Sequence, residues 1–198
     1  MRANEKAPGR SRIRLLAVLA FLFTFAAPGS SEADTPNILW LTAEDMSPTL
    51  GSWGDRYANT PNLDTFAKES VSYTRAFATA PVCSPARSCL ITGVYATSLG
   101  TQHLRSEFPI PREMTGFPSY IRKLGYHTSN NTKTDYNTSN ARSIITASWN
   151  ESNDQAHWRT RKPGQPFFSI FNDMTTHQSR TMVWTFEHFR KDVQTQLS

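Results

Sequence analysis

Two largely apolar runs constrain this chain more than any other feature. They are Ile38-Leu39-Trp40-Leu41 and Phe167-Phe168-Ser169-Ile170-Phe171. A strand that is apolar on both faces must be covered on both, which is the pattern of a parallel sheet between helices. Helical segments punctuate the chain between the runs. Thr60 and Pro61 form a helix start, and Leu63, Phe66, Ala67 and Ser70 follow at helical spacing, predicting a helix over 61–69. Ser84 to Thr92 reads as a second helix, with Pro85 in its first turn and Gly93 at its end. Phe117 to Leu124 reads as a third, closed by Gly125.

Tyr126 to Asn131 is the next expected strand. The alternation in 71–78 predicts another. The polar segment 132–165 reads as mostly loop. The tail from Thr181, with Val183, Trp184, Phe186 and Phe189, reads as a helix with one apolar side. The expected class is therefore α/β, a mostly parallel sheet flanked by helices. Such sheets bind ligands beyond the carboxyl ends of their strands. Glu44-Asp45, the region of Lys133 and the segment Asn172 to His177 each follow an expected strand, so they should converge.

The first 33 residues read as a signal peptide. Arg2, Lys6, Arg10, Arg12 and Arg14 precede the apolar stretch LLAVLAFLFTFAA, and Ser31-Glu32-Ala33 fits a cleavage site. An uncleaved anchor is the alternative. Cleavage near Ala33 would export the protein to the periplasm or the extracellular space. It would also leave 16 basic against 14 acidic residues, a net of +2 instead of +5. No basic run then remains to suggest nucleic acid, and no stable membrane partner is expected.

Glu44 and Asp45 are adjacent carboxylates at a strand end. Their repulsion is relieved either by solvent around an exposed loop or by a divalent cation. Oxygen ligands favour calcium or magnesium over zinc. Cys83 and Cys89 are the only cysteines. In an exported chain a pair suggests a disulfide. Six helical residues span roughly 9 Å and turn the side chains about 240° apart, beyond the usual ~4.4–6.8 Å of a bridge. Cys83 instead stands at a helix start, where the dipole is positive, with Arg87 one turn along. Cys89 reads as packing.

CSPARSCLITG resembles the sulfatase signature, Cys-x-Pro-Ser/Ala-Arg closed by Leu-x-Thr-Gly. Cys83, Pro85, Ala86, Arg87, Leu90, Thr92 and Gly93 all match. PNILWLTAEDMSP resembles the family's first metal strand, with Glu44 in place of the first of two aspartates. TPNLDTFAKESVSYTRAFA resembles the helix and strand that follow. The nearest group is the sulfamidase-like secreted sulfatases, within the alkaline-phosphatase-like superfamily.

The resemblance implies that a formylglycine-generating or maturase enzyme oxidises Cys83 to formylglycine. Its hydrated aldehyde attacks sulfur, and a second hydroxyl then expels sulfate. Arg87 would orient this group, and Lys133 would hold a sulfate oxygen. Asp135 stands where a histidine is usual and would bind substrate or orient Lys133. His177 would contact the sulfate or the leaving group, and His103 would line the substrate side. Glu44, Asp45 and the oxygen derived from Cys83 would hold the metal. The substrate would be a sulfated carbohydrate.

Residues 34–198 then read as the N-terminal portion of a sulfatase catalytic domain. The family's second metal segment and second lysine find no match after His177; Asp192 does not fit. This chain alone is therefore expected to have little sulfatase activity. An inactive remnant that at most binds sulfated glycans is one alternative. Phosphoryl transfer on the same fold is another, opposed by Cys83, since phosphatases of the superfamily use Ser or Thr.

Overall fold

A computed structural model of the chain describes residues 35–182, 185–192 and 194–196. The expected signal peptide, residues 1–33, lies outside the described residues, as do Val183 and Trp184. Four strands form one parallel sheet: β1 (Ile38–Ala43), β2 (His127–Asn131), β3 (Glu151–Ser152) and β4 (Phe167–Asp173). Their spatial order is β1-β4-β2-β3. Ile38 pairs with Phe168 and Ala43 with Asp173, while His127 pairs with Phe167 and Asn131 with Phe171. The apolar run Phe167–Phe171 therefore occupies a central strand, as a stretch apolar on both faces requires.

Seven helices are described: α1 (Pro61–Lys68), α2 (Cys83–Thr92), α3 (Ala96–Leu99), α4 (Pro118–Lys123), α5 (Ala141–Ser148), α6 (Gln178–Met182) and α7 (Phe186–Asp192). One sheet face packs Phe168 and Ile170 against Ile91, Ile144 and Trp149. Trp149 stacks on Phe168 at 6.0 Å, and Phe117 meets Phe168 edge-on at 5.4 Å. The buried indole is satisfied by a 2.9 Å bond from Trp149 Nε1 to the Tyr136 hydroxyl. Burial pushes the Tyr136 pKa up to about 12, so the phenol stays neutral. On the other face Trp158 stacks on Phe167.

β2 is polar along its whole length, yet His127 to Asn130 are buried. Such burial is tolerable only with hydrogen bonds. Thr128 Oγ1 donates to Ser148 O at 2.8 Å, and the Ser129 and Ser169 hydroxyls pair at 2.6 Å.

Four sequence expectations change. Ile38–Leu41, expected to be covered on both faces, is a terminal strand of the described sheet, and Ile38, Leu39 and Leu41 are exposed. Residues 71–78 form no strand; Val71, Tyr73 and Phe77 are exposed. Alternation describes a surface, but a strand also needs a neighbour for its backbone groups, and none of the described strands flanks this segment. The polar segment 132–165 contains α5, whose Ile144 is fully buried, and the two residues of β3. Its composition masked one short amphipathic helix. The tail forms α6 and α7 in place of one helix from Thr181, and Phe186 is exposed.

Cys83 is the first residue of α2, one residue earlier than expected. The helix ends at Gly93, whose φ of 70° suits glycine and whose N–H closes on Cys89 O at 2.8 Å. Both cysteines are free. Cys89 is buried, and its Sγ accepts a hydrogen bond from Ala96 N at 3.1 Å. Cys89→Ala leaves that buried N–H without its partner, so a loss of about 1–2 kcal/mol is expected. Urea unfolding of the variant checks this; an unchanged midpoint would show that the thiol fills space and nothing more.

Candidate active site

The parallel strands bring their carboxyl ends to one edge, and the polar residues that follow them meet there. Glu44 extends β1 by one ladder bond, its N–H to Asp173 O at 3.1 Å. Its carboxylate is buried and bridges two cations. Arg87 Nη1 donates to Oε1 at 3.0 Å, and Lys133 Nζ donates to Oε2 at 2.7 Å. The charge repulsion expected of Glu44-Asp45 is thus relieved at Glu44 by side-chain cations of the chain itself.

Arg87 reaches this point from the second turn of α2. Its Nε donates to Thr134 O at 2.9 Å, and its Nη2 donates to Lys133 O at 2.6 Å and to Asn172 Oδ1 at 3.0 Å. With the Glu44 bond, four of its five N–H groups are engaged among the described residues. Arg87 is therefore a rigid pin between α2, the loop after β2 and the end of β4. The loop is held again by Asn137, whose Nδ2 donates to Thr101 O at 2.6 Å and to His103 O at 2.7 Å.

Cys83 lies half-buried at the start of α2, with the side chains of Lys133 and Asp135 as charged neighbours. Burial raises its thiol pKa first, followed by the hydrogen bond and negative charge of Asp135; Lys133 and the Ser84 N–H oppose this less strongly. The helix start does not preset a thiolate, contrary to what dipole position alone predicts. Asp135 itself is exposed and sits in the left-handed region at φ 51°. Asp45 adopts the same conformation at φ 53°. Such backbone is uncommon outside glycine, and aspartate is among the residues that tolerate it.

His177 lies in the segment after β4, and this segment is fastened to the Glu44-Asp45 turn. Thr176 Oγ1 donates to Glu44 O, and Gln178 N donates to Asp45 Oδ2 at 3.0 Å. The His177 ring pairs with Ser179 Oγ at 2.7 Å. His103 is exposed and its ring contacts Gln102, apart from the cluster. The structure therefore joins Glu44, Arg87, Lys133, Asp135 and Cys83, places His177 and Asp45 on the adjoining turn, and leaves His103 at the surface. Asn172 is the member that sequence reasoning passed over. Its only signal was a polar residue closing an apolar strand.

Glu44 and Asp45 have the hard oxygens that calcium or magnesium takes. Calcium needs about 6–8 of them. Among the described residues no three His, Cys, Asp or Glu side chains are grouped so that they could hold a metal ion, and both Glu44 oxygens already hold cationic donors. These residues by themselves do not fit a complete cation site. Larger concavities lie elsewhere, of about 460 Å³ beside Phe77 and Tyr95 and about 690 Å³ beside Trp53 and Tyr73. Neither is lined by a charged residue, so chemistry and not size marks the site.

Known proteins share this arrangement of sequence and fold. The sulfatase family profile matches residues 36–192. An ulvan-active sulfatase of Formosa agariphila is 39% identical over 158 residues, 74% of this chain and 26% of that protein. Iduronate 2-sulfatase of Mus musculus is 32% identical over 115 residues, 58% of this chain and 21% of that protein. A structure solved in complex with its substrate, D-glucosamine-2-N,6-O-disulfate, has the same fold, with a TM-score of 0.60 at 17% identity over 72% of this chain and 35% of that one. The chain spans about a quarter of the length of the curated relatives it matches. With its strand order, its CSPARSCLITG helix and a family match across most of its length, the chain belongs to the sulfatase family.

Proposed function

We propose that this protein is an exported sulfuric ester hydrolase that removes sulfate from a sulfated carbohydrate, with formylglycine made from Cys83 as its nucleophile. The observation that carries the reading is the constellation at the strand ends. A free, half-buried Cys83 at a helix start adjoins Lys133, which is locked to Arg87 through Glu44. The family and the named substrates of its relatives support sulfate as the group removed and carbohydrate as its carrier.

Each side chain then has a role. Lys133 presents its ammonium to a sulfate oxygen, a charge-assisted contact made in a low-dielectric setting. Arg87 keeps the lysine loop in place through the carbonyls of Lys133 and Thr134. Asp135 accepts a proton from the group at position 83, as it accepts the thiol hydrogen bond now. His177, on the segment fastened to residues 44 and 45, serves the leaving oxygen or nitrogen. A formylglycine at position 83 supplies, when hydrated, one hydroxyl to attack sulfur and a second to release sulfate. The family generally uses a metal as well; Glu44 and Asp45 are the carboxylates this chain would bring to it, beside further donors.

The test is expression in a host that makes formylglycine, followed by mass analysis of the peptide containing Cys83. The expected residue has exchanged its sulfur and two hydrogens for one oxygen. Because little sulfate release is expected of this chain alone, every activity assay uses it within a protein of its relatives' length, which should release sulfate from a sulfated oligosaccharide. An unmodified thiol, together with no sulfate release, would overturn the reading.

A further inference from the structure

Asn172 is buried at the end of β4, and all four of its side-chain hydrogen-bonding positions are filled. Its Oδ1 accepts from Arg87 Nη2 and from Thr42 Oγ1, each at 3.0 Å. Its Nδ2 donates to Asn130 Oδ1 at 3.1 Å and to Asn131 O at 2.9 Å. Asn130 in turn donates through Nδ2 to Lys133 O at 3.2 Å and to Ser152 Oγ at 3.1 Å. One amide thus touches β1, β2 and α2, and reaches the lysine loop through one intermediate.

We infer that Asn172 is a positioning residue that sets the separation of Arg87 and Lys133 at the sulfate site. Its oxygen fixes the guanidinium, and its nitrogen fixes the Asn130 amide that holds the lysine loop. This rests on the sulfatase reading, because it assumes that Lys133 serves the sulfate and that Arg87 holds the lysine loop in place. The chemistry explains why an amide stands here. A carboxylate would satisfy Arg87 and Thr42 but would face two acceptors, Asn130 Oδ1 and Asn131 O. Asn130 cannot reverse its own amide without losing the Lys133 carbonyl, which can only accept. A leucine of similar size would take one hydrogen bond from each of the four partners. The side chain acts at a distance from substrate and touches none of the reacting atoms.

The test is a double-mutant cycle on the matured protein, with Asn172→Leu, Asn172→Asp and Arg87→Lys. Two quantities are read: kcat and KM for a sulfated oligosaccharide, and the affinity for inorganic sulfate by calorimetry. Asn172→Leu should lower kcat/KM about 100-fold, the scale of a 1 Å misplacement. Asn172→Asp, which keeps the Arg87 contact, should recover part of kcat but not the wild-type value. In the Arg87→Lys background the Asn172→Leu effect should shrink to a few-fold, because the two act as a unit. Equal Asn172→Leu effects in both backgrounds, with only the unfolding midpoint lowered, would show a structural role and overturn the inference. If the wild type binds sulfate without turnover, the hydrolase reading fails separately and the same cycle is judged on sulfate affinity. If it does neither, both readings fall.

Discussion

Cys83→Ala should abolish sulfate release while leaving a protein that folds as before. Loss of a nucleophile in a comparable covalent mechanism costs many orders of magnitude, so kcat/KM should fall by at least about 10⁴-fold. The structural effect should be small. Cys83 is half-buried and forms no disulfide, and its hydrogen-bonding neighbours are the exposed Asp135 and the Ser84 N–H. A thiol that merely filled space there would show the reverse pattern, a modest change in both activity and stability. The chemical reason for the large effect is specific. A cysteine thiolate could attack sulfur, but the sulfated thiol would lack the second hydroxyl needed to expel sulfate. Parallel measurements of kcat/KM and of the urea midpoint decide the matter. Retention of even a tenth of wild-type activity would remove position 83 from the chemistry.

How much of this was legible beforehand follows from which residues act locally. The two apolar runs point to the parallel sheet, but only Phe167–Phe171 is a central strand; Ile38–Leu41 is a terminal strand of the described sheet, with Ile38, Leu39 and Leu41 exposed. CSPARSCLITG gave α2, since a proline in the first turn and a glycine at the end are short-range requirements. It also separated the two cysteines correctly. The 71–78 alternation misled, because pairing depends on a distant neighbour that periodicity does not contain. Strand-end topology points to the region of Lys133, but the role of this particular lysine comes only through the resemblance, since a lysine among Asn and Thr carries no local signal. The strand-end segments of Glu44, Lys133 and Asn172 are expected to converge, but the bonds of Asn172 and the double engagement of Glu44 are not readable. Asn172 joins four segments and Glu44 three that lie far apart in the chain and meet only when the strands register. The pKa of Cys83 shows the same limit. Helix position predicts a shift in one direction, and burial with Asp135 turns it in the other.

Glu44→Gln should destabilise the fold by about 3–5 kcal/mol, the cost of removing one partner from a buried ion pair. The Glu44, Arg87 and Lys133 side chains are 8%, 10% and 12% exposed, so water screens this triad little. Glutamine keeps the shape but offers one oxygen and one NH₂ group. Whichever way the amide turns, a donor faces either the guanidinium or the ammonium, and two cations are left without a counter-charge. Glu44→Asp keeps the charge but is one methylene shorter. It can meet Arg87 or Lys133 but not both at their present distances, so an intermediate loss is expected. A second variant separates the bridge from general packing. Adding Lys133→Met to Glu44→Gln removes one of the stranded charges and should restore about 1–2 kcal/mol, although sulfate release stays lost because Lys133 is gone. Urea unfolding followed by tryptophan fluorescence reads all three, with an unchanged denaturant slope as the sign that only stability has moved. A Glu44→Gln variant as stable as the wild type would mean that the bridge contributes nothing to the fold. The position of Glu44 would then have to be explained by a ligand it serves, and not by the two cations it holds.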